Sequence, residues 1–387
     1  MTPLFMQPNV RVGLCENGGF GLSPQAPYNV QASEDSIVYT PVSPHSRMMV
    51  KGMTIGHNFH WQQKRDLLFR GTLIFRRGST SSQLINVLPV EDYLESVISS
   101  EMSADAPDEY LKAHAVISRS WLMRILQKQA HDFPELPATE GEYISFTQND
   151  LHSDFDVCAD DHCQRYQGVS EAGERAINAV KATRGQVLID TSGLIADCRF
   201  SKCCGGRTEL FSAAWNDIDP PYLPAAPDPY CDPSALTAQE REALAACLKD
   251  YDSATDYYRW EEIVPKELIS VNLKKYLNIN LGEILELRPI ETGYSGRIVK
   301  LEIRGTKGDI IIGKELTIRR ILSASHLKSS AFQVSPYPDG FMLTGRGWGH
   351  GVGLCQTGAA VMAIRGFKFE EILQHYYPTT KLASIYD

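Results

Sequence analysis

The chain contains the stretch Val90-Glu-Asp-Tyr-Leu-Glu-Ser-Val-Ile-Ser-Ser-Glu-Met-Ser103. Leu94, Val97 and Ile98 recur in it at the spacing with which one face of an α-helix returns to the protein interior. This spacing predicts a helix over residues 91–102, with one buried apolar face.

A second helix and several strands are expected around this first helix. Asp105-Ala-Pro107 places an acidic residue and a proline where a helix begins, which predicts a helix over residues 107–127. Strands are predicted at 9–14, 71–75, 186–190, 195–200, 297–303 and 309–312, and helices at 170–183, 237–249 and 357–364. Because the strands and helices are grouped rather than alternating, the sequence predicts an α+β fold.

The composition excludes several classes of protein. The chain has 387 residues, of which 43% are hydrophobic and 22% are charged, as in soluble globular proteins with an ample core. A net charge of −9 argues against a nucleic-acid binder or a polybasic membrane binder. No apolar run reaches the roughly 20 residues of a transmembrane helix, and Met1 to Pro8 show no signal-peptide features.

Glu101 is the first candidate for acid–base chemistry. It follows Leu94 by seven residues, so it lies on the apolar face of the first helix, near the helix end. Desolvation and the negative end of the helix dipole both disfavour ionisation, so we expect its pKa to be raised, as a general acid requires. A surface glutamate at a frayed helix end is the alternative. On the second helix, Arg119 is expected to pair with a carboxylate or an anionic substrate, and His114 to be a half-buried structural histidine.

Near the C-terminus the chain reads Gly345-Arg-Gly-Trp-Gly-His-Gly-Val-Gly-Leu-Cys-Gln356. Glycine at alternate positions lets a ligand or another chain approach the backbone closely, while His350 and Gln356 project from it. A structural glycine turn is the alternative. The segment lacks the Lys-Ser/Thr pair of a phosphate-binding loop, so we exclude that function.

Together these motifs resemble those of the SpoIID/LytB family. The similarity includes a Tyr-Leu helix, a Ser-Glu-Met motif, a Leu-Lys-Ala-x-Ala-Val motif followed by an arginine, and a glycine-rich C-terminal signature. It runs in consistent order over most of the chain, through the segments Val90–Ser103, Glu109–Trp121, Cys158–Gly168, Gly205–Glu209, Gly347–Gln356 and His375–Pro378.

The resemblance implies an enzyme of bacterial peptidoglycan, with strands and helices in two lobes around a glycan-binding groove. Sporulation members of the family are lytic transglycosylases that act on glycan strands without stem peptides, and LytB members modify an N-acetylmuramoyl-L-alanine amidase. The family's catalytic acid falls on Glu101 and its associated arginine on Arg119. Substrate contacts are expected from Tyr93, Ser201, Lys202, His350 and Gln356.

A lytic transglycosylase needs a single carboxyl group, whereas a hydrolase normally needs a second carboxylate at a defined separation. Asp92 and Glu95 are the candidates for a second one, but neither shares the helix face of Glu101 closely. We therefore favour transglycosylation to 1,6-anhydro ends over hydrolysis. The alternative function is a non-catalytic glycan-binding modifier of an amidase.

A short cysteine- and histidine-rich segment suggests a metal site. His152, Cys158 and Cys163 supply the nitrogen and sulfur donors that suit tetrahedral zinc, and they resemble the zinc-binding segment of sporulation members. His162 is adjacent to Cys163, so both can reach one ion only if the loop turns sharply. The fourth position is therefore left open for water or another side chain. A Cys158–Cys163 disulfide is the alternative. The expected role of zinc is to order a loop that faces the substrate.

Three further cysteine positions depart from the family pattern. Cys203 and Cys204 stand where family members usually carry serines, and Cys355 replaces another serine. A cysteine nucleophile with His350 as its base is conceivable, but a turn lined by inert thiols is the favoured interpretation.

The predicted organisation is a mostly β segment over residues 1–85 and a catalytic region over 86–387, with a helical insertion near 230–270. The resemblance implies an extracytoplasmic location, in the periplasm or cell envelope, because the substrate lies there. Peptidoglycan glycan strands are the expected partner, with an N-acetylmuramoyl-L-alanine amidase as a second one.

Overall fold

The structure, a computed structural model, describes residues 6–16, 19–57, 62–78, 82–127, 141–144, 152, 154–170, 172–215, 217–248 and 256–386. It combines helices with several separate sheets, which confirms the predicted α+β class. In the described part of the chain, no helix is both long enough and apolar enough to cross a membrane.

Before Val90, the regular elements among the described residues are all strands. They are β1 (Asn9–Glu16), β2 (Gly21–Pro24), β3 (Tyr28–Ala32), β4 (Ser36–Pro41), β5 (Met48–Ile55), β6 (Gln63–Phe69), β7 (Thr72–Arg77) and β8 (Ser82–Pro89). With β9 (Glu142–Ile144) and β10 (Val157–Cys158) numbered in chain order, the main sheet has the order β10-β1-β8-β7-β4-β3. A three-stranded sheet has the order β2-β5-β6.

Three helices follow and pack against these strands. They are α1 (Val90–Glu101), α2 (Asp108–Leu126) and α3 (Glu174–Ala182). The apolar face predicted for α1 is buried, because Leu94, Val97 and Ile98 are at most 1% exposed. One hydrophobic core joins the strands to α1, α2 and the C-terminal helices. The predicted boundary near residue 85 stays a prediction, since no independent observation tests it.

The remaining elements build a second core and close the chain. The strands are β11 (Gln186–Ile189), β12 (Phe200–Ser201), β13 (Arg259–Pro265), β14 (Ile284–Thr292), β15 (Ile298–Gly305), β16 (Gly308–Gly313), β17 (Phe332–Tyr337), β18 (Gly340–Arg346), β19 (Leu354–Cys355) and β20 (Lys381–Ser384). The helices are α4 (Ala238–Ala246), α5 (Lys266–Asn272), α6 (Glu315–Ile321), α7 (Gln356–Ile364) and α8 (Phe369–Tyr376).

The second core is separate from the first and lies within residues 260–343. It is built on the sheets β14-β15-β16-β9 and β13-β18-β17, with α5 and α6 packed on it. The pairs β12-β19 and β11-β20 connect distant parts of the chain. The two cores agree with the expectation of two lobes.

Most predicted elements lie within a few residues of the observed ones, and two differ. The helix expected from Ser170 begins only at Glu174, because Gly173 precedes its first turn. The strand expected over 195–200 is reduced to Phe200–Ser201, and the residues before it form irregular structure. The capping box of Thr237 and Glu240 is present at α4; the helix end expected near Lys249 lies outside the described residues.

Candidate functional site

A cavity of about 640 Å³ is lined by five of the seven predicted catalytic and substrate-binding residues, Glu101, Ser201, Lys202, His350 and Gln356, and by the three predicted metal ligands. Its wall comes from β1 and β5, the end of α1, the loop 152–165, β12, α6 and the start of α7. Because α6 belongs to the second core and α1 to the first, the cavity lies where the two cores approach each other. Segments far apart in sequence therefore meet at one site.

Glu101 is the last residue of α1 and is 8% exposed. Its Oε1 accepts a hydrogen bond of 2.9 Å from the backbone N–H of Arg165, and Lys202 Nζ donates to its backbone carbonyl at 3.1 Å. Among the described residues, no hydrogen-bond partner contacts its Oε2. One oxygen is thus held in place while the other is available for proton transfer at the cavity wall.

Asp161 is a cavity carboxyl that the sequence analysis missed. It forms an ion pair with Arg165, four residues later. Burial raises the pKa of Asp161 to about 7, although the Arg165 guanidinium opposes the shift and the nearby charges of Asp160 and Glu101 add to it. In sequence it stands beside Asp160 in a short loop, where a pair of acidic residues looks like ordinary solvated charge.

The predicted metal ligands do come together, and a fourth residue joins them. The donor atoms of His152, Cys158, His162 and Cys163 all lie within 4.8 Å of one another. Cys163 Sγ lies 3.5 Å from His152 Nε2 and 3.4 Å from His162 Nδ1, and Cys158 Sγ lies 3.9 Å from His162 Nδ1. We call these four residues the His/Cys group.

His162 lies at the fourth position, which the sequence left open for water or another side chain. The chain turns sharply before Cys163, whose N–H donates to the Asp160 carbonyl at 3.0 Å, so adjacent side chains face one point. Both cysteines carry free thiols, and the predicted alternative of a disulfide is not formed. Two sulfur and two imidazole donors fit the tetrahedral coordination that zinc prefers.

Hydrogen bonding between the two thiols of this group moves their pKa values in opposite directions. Hydrogen bonding from Cys163, with further hydrogen bonds from His152 and His162, lowers the pKa of Cys158 to about 2 against the effect of burial. The hydrogen bond to Cys158 and burial both raise the pKa of Cys163. Cys158 is therefore held as a thiolate, which is the form that binds a metal.

The backbone of the glycine motif packs closely against other segments of the protein. Gly347, Gly349, Gly351 and Gly353 all have φ between 69° and 87°. A Cβ on Gly351 would lie 2.5 Å from the Arg297 guanidinium, and one on Gly353 would lie 2.1 Å from the Arg199 carbonyl oxygen. The space expected for a ligand at these two positions is thus filled by a buried arginine and by the backbone next to β12.

At the cavity wall, His350 is kept neutral and Gln356 is held by a contact with His114. Val352 N–H donates to His350 Nδ1 at 3.0 Å, and burial with the charges of Arg199, Arg297 and Arg319 lowers the pKa of His350 well below its usual value. The amide Nε2 of Gln356 lies 3.0 Å from Nε2 of His114.

His114 behaves as the structural histidine that the sequence predicts. Burial, and then the charge of Lys202, lowers its pKa to about 3, and its Nδ1 lies 3.2 Å from Ser118 Oγ. Both ring nitrogens therefore have partners while the ring is neutral. Its environment is more buried than predicted, because His114 is only 1% exposed.

Arg119 and Tyr93 lie inside the helix packing, and neither lines the cavity. Arg119 is fully buried and forms two hydrogen bonds to the Glu91 carboxylate, at 2.8 and 2.7 Å. Tyr93 donates to Gln164 Oε1 at 3.3 Å and stacks on Tyr166. This position of Tyr93 corrects the expectation of direct substrate contact for that residue. Arg119 does find the carboxylate partner that the sequence predicts.

Several cavity residues have no precedent in the sequence analysis. The Arg199 guanidinium lies 4.4 Å from the ring centroid of Trp215, and the Trp215 ring packs edge-on against His350. Arg319 and Glu315 form a buried i,i+4 ion pair at 3.3 Å. The available signal was a pair of opposite charges one helical turn apart in an otherwise apolar segment.

Cys203 and Cys204 are buried, as the inert interpretation requires. Burial raises the pKa of Cys204, which disfavours the reactive thiolate. A nucleophile paired with His350 is not supported, because the Nδ1 atom of that histidine already accepts a hydrogen bond from Val352.

Two family models match parts of the chain. The model described as Stage II sporulation protein (SpoIID) matches residues 78–189, which include Glu101, Arg119 and the His/Cys group. A model described as a domain of unknown function (DUF8618) matches residues 209–353, which include the second core.

Curated relatives agree with the first of these models. An uncharacterized protein of Brachyspira hyodysenteriae is 28% identical over 80% of this chain and 70% of its own length. Stage II sporulation protein D of Bacillus subtilis is 25% identical over 79% of this chain and 77% of its own length. The amidase enhancer of the same organism is 27% identical over 75% of this chain, but this match covers only 40% of that protein. These similarities support a role related to the cell wall.

Proposed function

This chain is a member of the SpoIID/LytB family, and on that premise we propose that it is a peptidoglycan lytic transglycosylase. The reaction would cleave the bond between N-acetylmuramic acid and N-acetylglucosamine and leave 1,6-anhydro ends. The observation that carries the proposal is the position of Glu101, at a cavity wall with one carboxylate oxygen held and the other available.

Glu101 would act first as the acid and then as the base. Its carboxyl proton passes to the glycosidic oxygen as the bond from that oxygen to C1 of N-acetylmuramic acid breaks. The C6 hydroxyl of the same sugar then attacks C1, and its proton returns to the Glu101 carboxylate. Atoms and charges balance without water, so one correctly oriented carboxyl group is enough.

The orientation of Glu101 depends on the loop that carries the His/Cys group. Arg165, whose N–H holds Oε1, is only two residues beyond Cys163. We infer that zinc would be held by His152, Cys158, His162 and Cys163, where it would supply structural order. Its part would be to fix this loop and thereby the direction of the Arg165 N–H.

The charges around the cavity suit a glycan strand from which the stem peptides have been removed. Removing the peptide leaves a free lactyl carboxylate on each N-acetylmuramic acid. Lys202 lines the cavity and provides positive charge for such a carboxylate. Arg199 and Arg319 line it as well, although Asp197 and Glu315 already pair with them. A peptidoglycan substrate further implies that the protein works outside the cytoplasmic membrane, in the periplasm or cell envelope.

Hydrolysis is less well supported at the two positions predicted for a second carboxylate. Asp92 and Glu95 both pair with Arg70 and do not line the cavity. Asp161 does line it, but its carboxylate is paired with Arg165. If the products carried reducing ends, Asp161 would be the first residue to substitute.

A second candidate function is a glycan-binding enhancer of an N-acetylmuramoyl-L-alanine amidase. It is favoured by the similarity to the B. subtilis amidase enhancer over three quarters of this chain. In that case the cavity would bind glycan without cleaving it, and the amidase would be the partner.

The test is mass spectrometry of purified glycan strands, with and without stem peptides, after incubation with wild-type protein and with Glu101→Gln. We expect anhydro-muramic ends from the wild type on peptide-free strands. Glu101→Gln should lower turnover by about 10²- to 10⁴-fold, the usual contribution of a general acid–base group, while retaining glycan binding.

Glu95→Gln serves as the matched control, because it lies on the same helix but outside the cavity. Its activity should remain near that of wild type once folding has been verified. Equal activity of Glu101→Gln and wild type would overturn the assignment of the acid. Intact glycan with retained binding, together with stimulation of an added amidase, would favour the enhancer instead.

A further inference from the structure

Four residues from three distant segments meet at a buried point outside the cavity. They are Cys204, Asp228, Cys231 and Cys355, whose sulfur and carboxylate atoms all lie within 4.8 Å of one another. We call them the Cys/Asp group. All four are buried, with Cys355 fully so and the other three 1% exposed.

Two distances within this group lie a few tenths of an ångström below those between ligands of one tetrahedral metal ion. Zinc–sulfur bonds of about 2.3 Å place two sulfur ligands about 3.8 Å apart, and a sulfur and an oxygen ligand about 3.5 Å apart. Cys204 Sγ lies 3.4 Å from Cys231 Sγ and 3.3 Å from Asp228 Oδ2. Small outward movements of the side chains would therefore admit an ion.

The surroundings hold these ligands in place. Cys355 caps the N-terminus of α7, and its sulfur accepts N–H donation from Cys204 at 3.3 Å and from Gly358 at 3.4 Å. The hydroxyl of Tyr376 donates to Asp228 Oδ2 at 3.0 Å. Such outer contacts orient metal ligands and support the negative charge that thiolates and carboxylates carry.

We propose that Cys204, Asp228, Cys231 and Cys355 form a second metal centre for a divalent ion of the zinc class. It is separate from the His/Cys group and does not depend on the proposed glycan cleavage. Three thiolates and one carboxylate favour zinc over hard ions such as Mg²⁺ or Ca²⁺. The ion would bind as the three thiols release their protons.

A disulfide between Cys204 and Cys231 explains the group less completely. It would draw the two sulfur atoms to about 2.05 Å and use only these two groups. Cys355 and Asp228 would then remain buried beside it, and within the described residues Asp228 forms no ion pair. A metal ion uses all four groups and neutralises the buried carboxylate.

The centre would link two segments that line the cavity. Cys204 follows Ser201 and Lys202 closely in sequence, and Cys355 directly precedes Gln356. Cys231 belongs to the turn Pro229–Cys231, which precedes α4. A metal ion at this point would fix the distance between β12 and the start of α7, and would attach the segment before α4 to both.

The test measures metal in the Cys158→Ser/Cys163→Ser double variant, which lacks the thiols of the His/Cys group and leaves the Cys/Asp group intact. After purification without chelators, we expect about one zinc ion per chain in this variant and about two in wild type. Loading the double variant with Co²⁺ should give the intense thiolate-to-cobalt absorption of a sulfur-rich tetrahedral site.

Cys231→Ser, added to the double variant, should abolish this absorption, whereas Cys247→Ser should not. Cys247 is a matched control, because it is a buried free thiol outside both groups. Alkylation without reductant, followed by peptide mass spectrometry, provides a readout that does not require the triple variant to fold. A folded double variant without metal, or a Cys204–Cys231 disulfide in wild type, would overturn the proposal.

Discussion

The His/Cys group and the Cys/Asp group use similar ligand atoms in opposite settings. The His/Cys group comes from one loop, where its four residues span 152–163, and it lies half exposed at the cavity wall. The Cys/Asp group comes from positions 204, 228, 231 and 355 and is buried. A metal ion bound by the first would order a short loop next to Glu101, whereas one bound by the second would join segments that are distant in sequence.

The difference teaches that ligand type alone does not indicate what a cluster contributes. A local loop loses little chain entropy when its ends are joined, so its ligation adds mainly local order. Joining residues up to 151 positions apart restricts the unfolded chain far more, so ligation there adds mainly to global stability. We therefore expect activity to respond to the His/Cys group and stability to the Cys/Asp group.

The largest expected contrast is in metal release. Zinc at the half-exposed His/Cys group should pass directly to a chelator. Release from the buried Cys/Asp group requires the protein to open locally. An opening free energy of about 4 kcal/mol slows release by about 1000-fold. Stopped-flow mixing with a coloured chelator should show one fast and one slow phase in wild type, and only the slow phase in Cys158→Ser/Cys163→Ser. Release of all the zinc in a single phase would contradict the expected difference between the two groups.

A buried polar contact that involves no thiol tests whether burial by itself favours a stability role. The Arg119–Glu91 pair is buried, and hydrogen bonds from Arg119 lower the pKa of Glu91 although burial opposes this. Arg119→Met should reduce the free energy of unfolding by about 3 kcal/mol, because Glu91 is left as an uncompensated buried charge. Urea denaturation measures this change.

In the same variant the kcat of the folded protein should stay near that of wild type. If kcat fell instead while stability was preserved, Arg119 would act in catalysis despite its burial. Glu91→Gln/Arg119→Met, which removes both charges, should recover part of the lost stability.

Removal of one thiol from the His/Cys group should affect catalysis. Cys163→Ser weakens the hold on the loop that positions the Arg165 N–H against Glu101, and we expect kcat to fall by about 10- to 100-fold. Thermal denaturation should show little change. Cys247→Ser controls for the loss of a thiol, and equal kcat values for the two variants would argue against a role of the loop in orienting Glu101.

The smallest expected effect is a pH dependence of stability that arises from His114. Its pKa is about 3 in the folded protein and about 6.5 when unfolded, so the unfolded state binds a proton first as the pH falls. Stability is therefore complete above pH ~6.5 and decreases towards pH 3. Between pH 7 and pH 5, the free energy of unfolding should fall by about 2 kcal/mol more in wild type than in His114→Gln, as measured by matched urea titrations.

The sequence was most informative where periodicity or local spacing carried the signal. The apolar spacing of α1 predicted both the helix and the place of Glu101 at its end. The close spacing of Cys158 and Cys163 predicted their meeting. The sequence left the fourth position open because adjacent side chains diverge unless the backbone turns, and only the structure shows the Asp160–Cys163 hydrogen bond.

The Cys/Asp group could not be predicted in the same way. Its members have no regular spacing, and they meet only because β12 pairs with β19 and the chain before α4 folds back against both. Tyr93 shows the opposite error, in which a motif position suggested direct substrate contact although the side chain lies in the helix packing. A sequence pattern identifies residues, and tertiary packing decides which of them face the cavity.

The hydrogen bond from Arg165 to Glu101 also makes the site observable by spectroscopy. An amide proton that donates to a carboxylate changes its chemical shift when that carboxylate gains or loses its proton. The Arg165 amide resonance should therefore report the protonation state of Glu101 directly, in the resting protein and without substrate. One backbone signal, followed by nuclear magnetic resonance, would reveal when the proposed acid is charged. It would also show whether removing a metal ion from the His/Cys group breaks the hydrogen bond between Arg165 and Glu101.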